Sequence, residues 1–132
     1  MTTRGTLAGI AIDCGEGQAP AVAHFYEELL GYQVIDPGGP NWRQLSDPVT
    51  GLHLNIQGQK WYEEPTWPEE TGQLTKMLHF EVMTEDLQAS VRAAVEAGGR
   101  ESPWQPPTRN PDRIRIMLDP AGHPLCVFLR GE

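Results

Sequence analysis

The chain has 132 residues and a formal net charge of −8, with an isoelectric point near 4.9; this is the size of one domain, able to bury roughly two thirds of the surface its unfolded form exposes. The acidic balance excludes a phosphate-tracking basic face, so nucleic acid and anionic membrane are poor partners and a neutral or cationic small molecule suits it better. No apolar run approaches the roughly 20 residues of a membrane helix, the opening MTTRGTLAGIAID has no leader pattern, and Cys14 and Cys126 form no C-x-x-C motif, so a cytoplasmic protein with reduced thiols is expected.

Alternation over Leu7 to Asp13 predicts a first strand, with Ile10, Ile12 and Cys14 on one side and Gly9, Ala11 and Asp13 on the other. GQAPAVAHFYEELLGY predicts a helix: Pro20 suits a first turn, Val22, Phe25, Tyr26 and Leu29 recur at helical spacing, and Gly31 stops it. YQVID and NWRQLSD predict two strands, the second turning Trp42 and Gln44 one way and Arg43 and Leu45 the other. DPVTGLHLNIQ is a turn feeding a strand in which Leu52, Leu54 and Ile56 oppose His53, Asn55 and Gln57. Gly58 to Thr75 is rich in proline, charge and aromatics and predicts a linker, either a plain surface connection or a lid built from Trp61, Tyr62 and Trp67.

The pattern then repeats. MLHFEVM aligns with LAGIAID, His79 falling 70 positions after Gly9. TEDLQASVRAAVEAGG predicts the second helix, with Thr84 as N-cap, acidic residues in the first turn, Leu87, Val91, Ala94 and Val95 on one face, and Gly98 as its stop. GRESP and RIRIMLD predict strands, and DPAGHPLCVFL repeats the turn and strand of DPVTGLHLNIQ, placing Asn55 opposite Cys126. Two βαβββ modules follow, residues 6–57 and 76–130, joined by a linker over 58–75 within one domain spanning 1–132. The class is α+β, with a curved mixed sheet whose apolar sides cover the helices and whose other sides line a cup.

Candidate functional residues are those whose parity points into that cup. His79 and Glu81 leave one face of a strand about 7 Å apart, near enough to serve one ligand as an acid/base pair. The alternative for such a pair is a solvated sheet surface. His53, Asn55, Gln57 and Cys126 share the cup, and Trp42 and Trp104 are either aromatic platforms for a flat ligand or packing groups. His24 reads as a surface or half-buried histidine and His123 as a hydrogen-bonded turn residue. Arg109, Arg113 and Arg115 read either as a salt-bridged edge strand or as an anion-recognising rim.

The doubled βαβββ pattern, with IAIDCGE, FYEELLGYQV, LHFEV and the DPAGHPLCVFL ending, resembles the vicinal oxygen chelate superfamily from about Leu7 to Leu129. More narrowly it is similar to the actinobacterial glyoxalase-like group, related to glyoxalase I, bleomycin resistance proteins and extradiol dioxygenases. The resemblance implies a partly closed sheet of that fold, pairing of modules across a homodimer, and one divalent metal held at four positions. Those positions correspond here to Gly9, Asn55, His79 and Cys126. Only His79 is a standard ligand, so no metal is expected; a softer set of His79 and Cys126 with His53 as neighbour would take zinc. The expected function is binding of a small organic molecule in the cup. The alternative is a lyase or isomerase acting on a small metabolite or natural product through His79 and Glu81, with or without a recruited metal.

Overall fold

Pro20 lacks an amide proton and stands in the first turn of α1 (Ala19–Leu30), where no intrahelical partner is needed. The helix buries Ala19, Val22, Ala23, Phe25 and Tyr26 and ends where Gly31 adopts a left-handed φ of 72°, its N–H returning to the Glu27 carbonyl. The computed structural model describes residues 3–131, so residues 1, 2 and 132 of the expected single-domain span lie outside the described residues.

Around this helix the first module lays β1 (Gly9–Gly15), β2 (Gln33–Asp36), β3 (Trp42–Ser46) and β4 (His53–Gln59) in the order β1-β4-β3-β2. β1 and β4 are parallel and the other pairs antiparallel. The second module repeats the plan with β5 (Glu81–Thr84), α2 (Leu87–Glu96), β6 (Arg100–Glu101), β7 (Ile114–Leu118) and β8 (Pro124–Leu129), ordered β5-β8-β7-β6. The class is α+β, and the two mixed sheets stay separate rather than closing into a barrel.

One hydrophobic core serves both modules. Ile12, Cys14, Leu45, Leu54 and Ile56 from the first sheet join Met117, Leu125 and Val127 from the second, with Phe25 and Tyr26 between them. The alternation read from the sequence holds: Ile12, Cys14, Leu54 and Ile56 are buried while Ala11, Asp13 and Gln57 are exposed. Cys14 and Cys126 are free thiols on opposite faces, and burial pushes the Cys14 thiol up to about 11. Among the described residues no helix is long and apolar enough to cross a membrane.

The structure departs from the expected elements in four places. β5 begins at Glu81, so His79 precedes the strand. The reason lies on its partner: Cys126 N–H bonds the Phe80 carbonyl, and the next donor down β8 would be Pro124, which has none. The N-cap of α2 is Asp86, whose side chain accepts from Ala89 N–H; Thr84 instead ends β5 and accepts from Asp86 N–H. Glu85 and Asp86 therefore lie before the helix, and Val95 turns to solvent because the buried face is set by Leu87 and Ala94. β4 runs on to Gln59, because Cys14 and Gly15 pair with Gly58 and Gln59. Finally, the arginine-bearing β7 is an inner strand, flanked by β8 and β6.

Candidate functional site

Where β1 and β4 of one sheet approach β5 of the other, the chain leaves a cleft of about 310 Å³. Its lining is mostly apolar, from Ile10, Leu30, Tyr32, Leu54, Phe80 and Val82, and also includes His53 and Glu81, one from each module. Register places them: His53 is level with Gly9 and Ser46, and Glu81 is level with Cys126. The Gln44 side-chain amide reaches His53 Nδ1 at 3.3 Å, orienting the ring. A pocket of this size, mostly apolar with a few convergent polar groups, is the usual form of a small-molecule site.

Two residues further along β4, Asn55 sits between Ala11 and Gln44. Its Oδ1 is buried and has no hydrogen-bond partner. In the second sheet, burial pushes the Cys126 thiol up, the Glu81 charge adds to this, and Lys76 and Arg109 oppose it, so Cys126 stays a protonated thiol at neutral pH.

A second cavity of about 460 Å³ lies beneath the linker, between β1 and the turn before β8. At the His123 end of this cavity lies a cluster that no local sequence pattern assembles. Asp119 is 0 % exposed and accepts from Tyr26 Oη at 2.7 Å, from His123 Nδ1 at 2.7 Å, and from the main-chain N–H groups of Ala121 and His123. Tyr62 donates to the Ala121 carbonyl at 2.6 Å. His123 thus holds the turn, as its position suggested. The spacing of Asp119 and His123 within DPAGH was the available signal; the contributions of Tyr26 and Tyr62 come from distant segments.

The sequence profile of the glyoxalase-like domain matches residues 9–128. The chain belongs to the glyoxalase-like family. Comparison with curated proteins finds no match. Among solved structures, a glyoxalase-related enzyme from Fulvimarina pelagi is similar at 16 % identity over 95 % of this chain and 88 % of its own, with a TM-score of 0.63. A glyoxalase family protein from Enterococcus faecalis has 22 % identity over 93 % and 96 %, TM-score 0.60. TnmS3, an antibiotic binding protein from a Streptomyces strain, has 16 % identity over 98 % of both chains, TM-score 0.55. These likenesses establish the glyoxalase and bleomycin-resistance fold, that of the vicinal oxygen chelate superfamily.

The four superfamily metal positions of this glyoxalase-like chain do not fit a metal. Gly9 carries no donor, and a Cβ there would come within 2.8 Å of the His53 carbonyl. His79 is exposed and off the strand, lining a hollow of about 30 Å³ with Tyr26 and His123 rather than the cleft that holds Glu81. Cys126 is a thiol with raised pKa, and Asn55 offers a neutral carbonyl. Among the described residues no three of His, Cys, Asp and Glu assemble into a metal-binding group, and this covers the softer set of His79, Cys126 and His53.

The remaining candidates disperse. Gln57 is exposed, level with Asp13 and Trp42. Trp42 is half-buried and donates from Nε1 to Asp36 Oδ2 at 3.2 Å, pinning the β2–β3 connection, which Arg43 also ties through the carbonyls of Pro37 and Gly39. Trp104 meets Trp67 edge to face at 5.7 Å, with Lys76 4.5 Å above the Trp67 ring. Of the three linker aromatics, Tyr62 and Trp67 pack down and Trp61 is exposed. Arg115 pairs with Glu101 at 2.5 Å across β6 and β7, and Arg109 lines a shallow proline-rich hollow.

Proposed function

We propose that this glyoxalase-like chain binds a small organic molecule in the cleft at the junction of its modules, without a resident divalent metal. The observation that carries this reading is a single, mostly apolar cleft of about 310 Å³ lined from both modules, with His53 and Glu81 among its lining residues. Asn55, whose buried Oδ1 has no hydrogen-bond partner, lies on the same face of β4 as His53 and offers a further polar group there. The net charge of −8 favours a cationic or neutral aromatic ligand, and a structural neighbour is described as an antibiotic binding protein. Exposed Leu7, Met77, Leu78 and Met83 support a homodimer, and the reduced thiols suit a cytoplasmic setting.

The test uses ethidium, a cationic aromatic dye, followed by its own fluorescence. Saturable binding that weakens in Glu81→Gln and His53→Ala supports the reading; binding unchanged in both variants, or none at all, rejects it. A second reading, a lyase or isomerase, rests on Glu81 alone in the cleft wall, since His79, its expected partner, lines a different hollow. It requires turnover of a metabolite that Glu81→Gln abolishes, with a bell-shaped pH profile.

A further inference from the structure

We propose that the cavity beneath the linker is a second small-molecule site, distinct from the cleft at the module junction, and that it takes an alkylated ammonium compound, a tertiary or quaternary amine. The cavity holds about 460 Å³, and Ala11, Trp61, Tyr62, Pro65 and Leu74 give it apolar and aromatic walls. Two carboxylates, Asp13 and Glu63, line the same space. Among the described residues neither is in an ion pair. Asp13 accepts from the neutral Gln59 amide at 3.1 Å, and Glu63 is exposed. Unneutralised carboxylates beside aromatic rings suit a cation.

The chain's own cations nearby are engaged with other groups. Lys76 also lines the cavity, but its ammonium lies 2.6 Å from Glu69 and 4.5 Å from the centre of the Trp67 ring. His123, when protonated, is balanced by the buried Asp119 carboxylate at 2.7 Å, and Arg100 pairs with Glu64 at 2.9 Å. The wall therefore sits in a negative potential. Tyr62 registers it: burial, and after it the charges of Asp119 and Glu64, hold its hydroxyl above the ordinary range.

The character of the wall selects the kind of cation. A metal ion or a primary ammonium holds its water tightly and needs several converging oxygen atoms to replace it. Among the described residues no three of His, Cys, Asp and Glu converge in that way. An alkylated ammonium spreads its charge over methyl and methylene groups, sheds water at small cost and rests against aromatic rings while carboxylates balance it. Lys60 stands 5.5 Å from the centre of the Trp61 ring and is the chain's own competitor for that indole.

The test titrates choline into the full chain and follows the Trp61 indole N–H resonance, with neohexyl alcohol as the uncharged probe of the same shape. The expected result is a saturable shift, with nuclear Overhauser contacts from the choline methyls to Trp61 and Leu74, and binding of the alcohol about fivefold weaker or more. The double variant Asp13→Asn with Glu63→Gln changes two exposed side chains. It is expected to weaken choline about fivefold while the rest of the amide spectrum persists, which separates loss of the site from loss of the fold. Lys60→Gln removes the competing ammonium and should tighten choline, and Glu81→Gln, in the other cleft, should leave it unchanged. No saturable shift, equal affinity for the alcohol, or unchanged choline affinity in the double variant overturns the proposal. So does loss of choline binding in Glu81→Gln with retention in the double variant, which assigns the probe to the cleft at the module junction.

Discussion

Tyr26 of α1 donates its phenolic proton to Asp119 in the turn before β8, at 2.7 Å and across 93 residues of sequence. Both side chains are buried, and the bond fastens the helix of one module to the closing turn of the other. Burial and the Asp119 charge hold the Tyr26 hydroxyl well above its usual pKa, so it stays a donor at every physiological pH. Tyr26→Phe keeps the edge-to-face contacts with Phe25 and Phe80 but removes a hydrogen bond to a charged group. Stability measured by urea unfolding is expected to fall by about 1.5–3 kcal/mol, and an unchanged midpoint would show that the bond contributes nothing net.

His123 makes folding stability depend on pH. Burial disfavours the charged ring, but the hydrogen bond and charge of Asp119, with the carbonyl and charge of Asp13, outweigh it and raise the pKa above the ordinary histidine value. A folded-state pKa raised above the unfolded one contributes stability that is fully present below about pH 6.5, the unfolded value, and is lost as pH rises through the folded value. Urea midpoints should therefore decline across that window in the native chain, and the decline should be reduced in His123→Gln. Parallel curves for the two proteins would contradict the assignment.

Asn55 carries a structural cost. Its buried Oδ1 lacks a partner, and an unsatisfied buried acceptor costs about 1–3 kcal/mol. Asn55→Leu, of similar shape, is expected to leave the melting temperature unchanged or raise it, while weakening ligand binding to the concave face. A marked destabilisation would mean that Asn55 is satisfied in solution, for instance by an ordered water.

Restoring a metal donor at Gly9 should fail for steric reasons. A Cβ at this position meets the His53 carbonyl at 2.8 Å and the His53 Cβ at 2.9 Å, both attached to the strand that pairs with β1. Gly9→His is expected to cost about 1–3 kcal/mol in overpacking and to gain no stoichiometric metal by elemental analysis. In the native chain, dialysis against a chelator is expected to leave the melting temperature unmoved. A large fall would reveal a structural metal and overturn the metal-free reading.

How much of this was legible beforehand varies by element. The period-2 run through Ile10, Ile12 and Cys14 and the helical spacing of Val22, Phe25 and Tyr26 located β1 and α1, and the Gly31 stop fell at the residue that caps the helix. His79 was misplaced because its run alternates as well as any strand, yet whether it enters a ladder depends on Pro124, 45 positions later, which cannot donate. Val95 matched the apolar face of α2 by count, but a ten-residue helix buries only the narrow stripe that its sheet covers. Trp42 and Trp104 carried an ambiguity between platform and packing that no single segment resolves, since Asp36 and Trp67 complete their surroundings.

The sequence by itself determined the doubled βαβββ plan, the α+β class, and which side of each main strand is apolar, because periodicity and turn chemistry act over neighbouring residues. The tertiary structure alone decided which polar groups share a cavity. His53 and Glu81 line one cleft at the module junction, and Asp119 gathers Tyr26 and His123, because the burial of one common core sets the placement of one module against the other. That core forms from contacts between segments tens of residues apart, whose geometry no local pattern encodes.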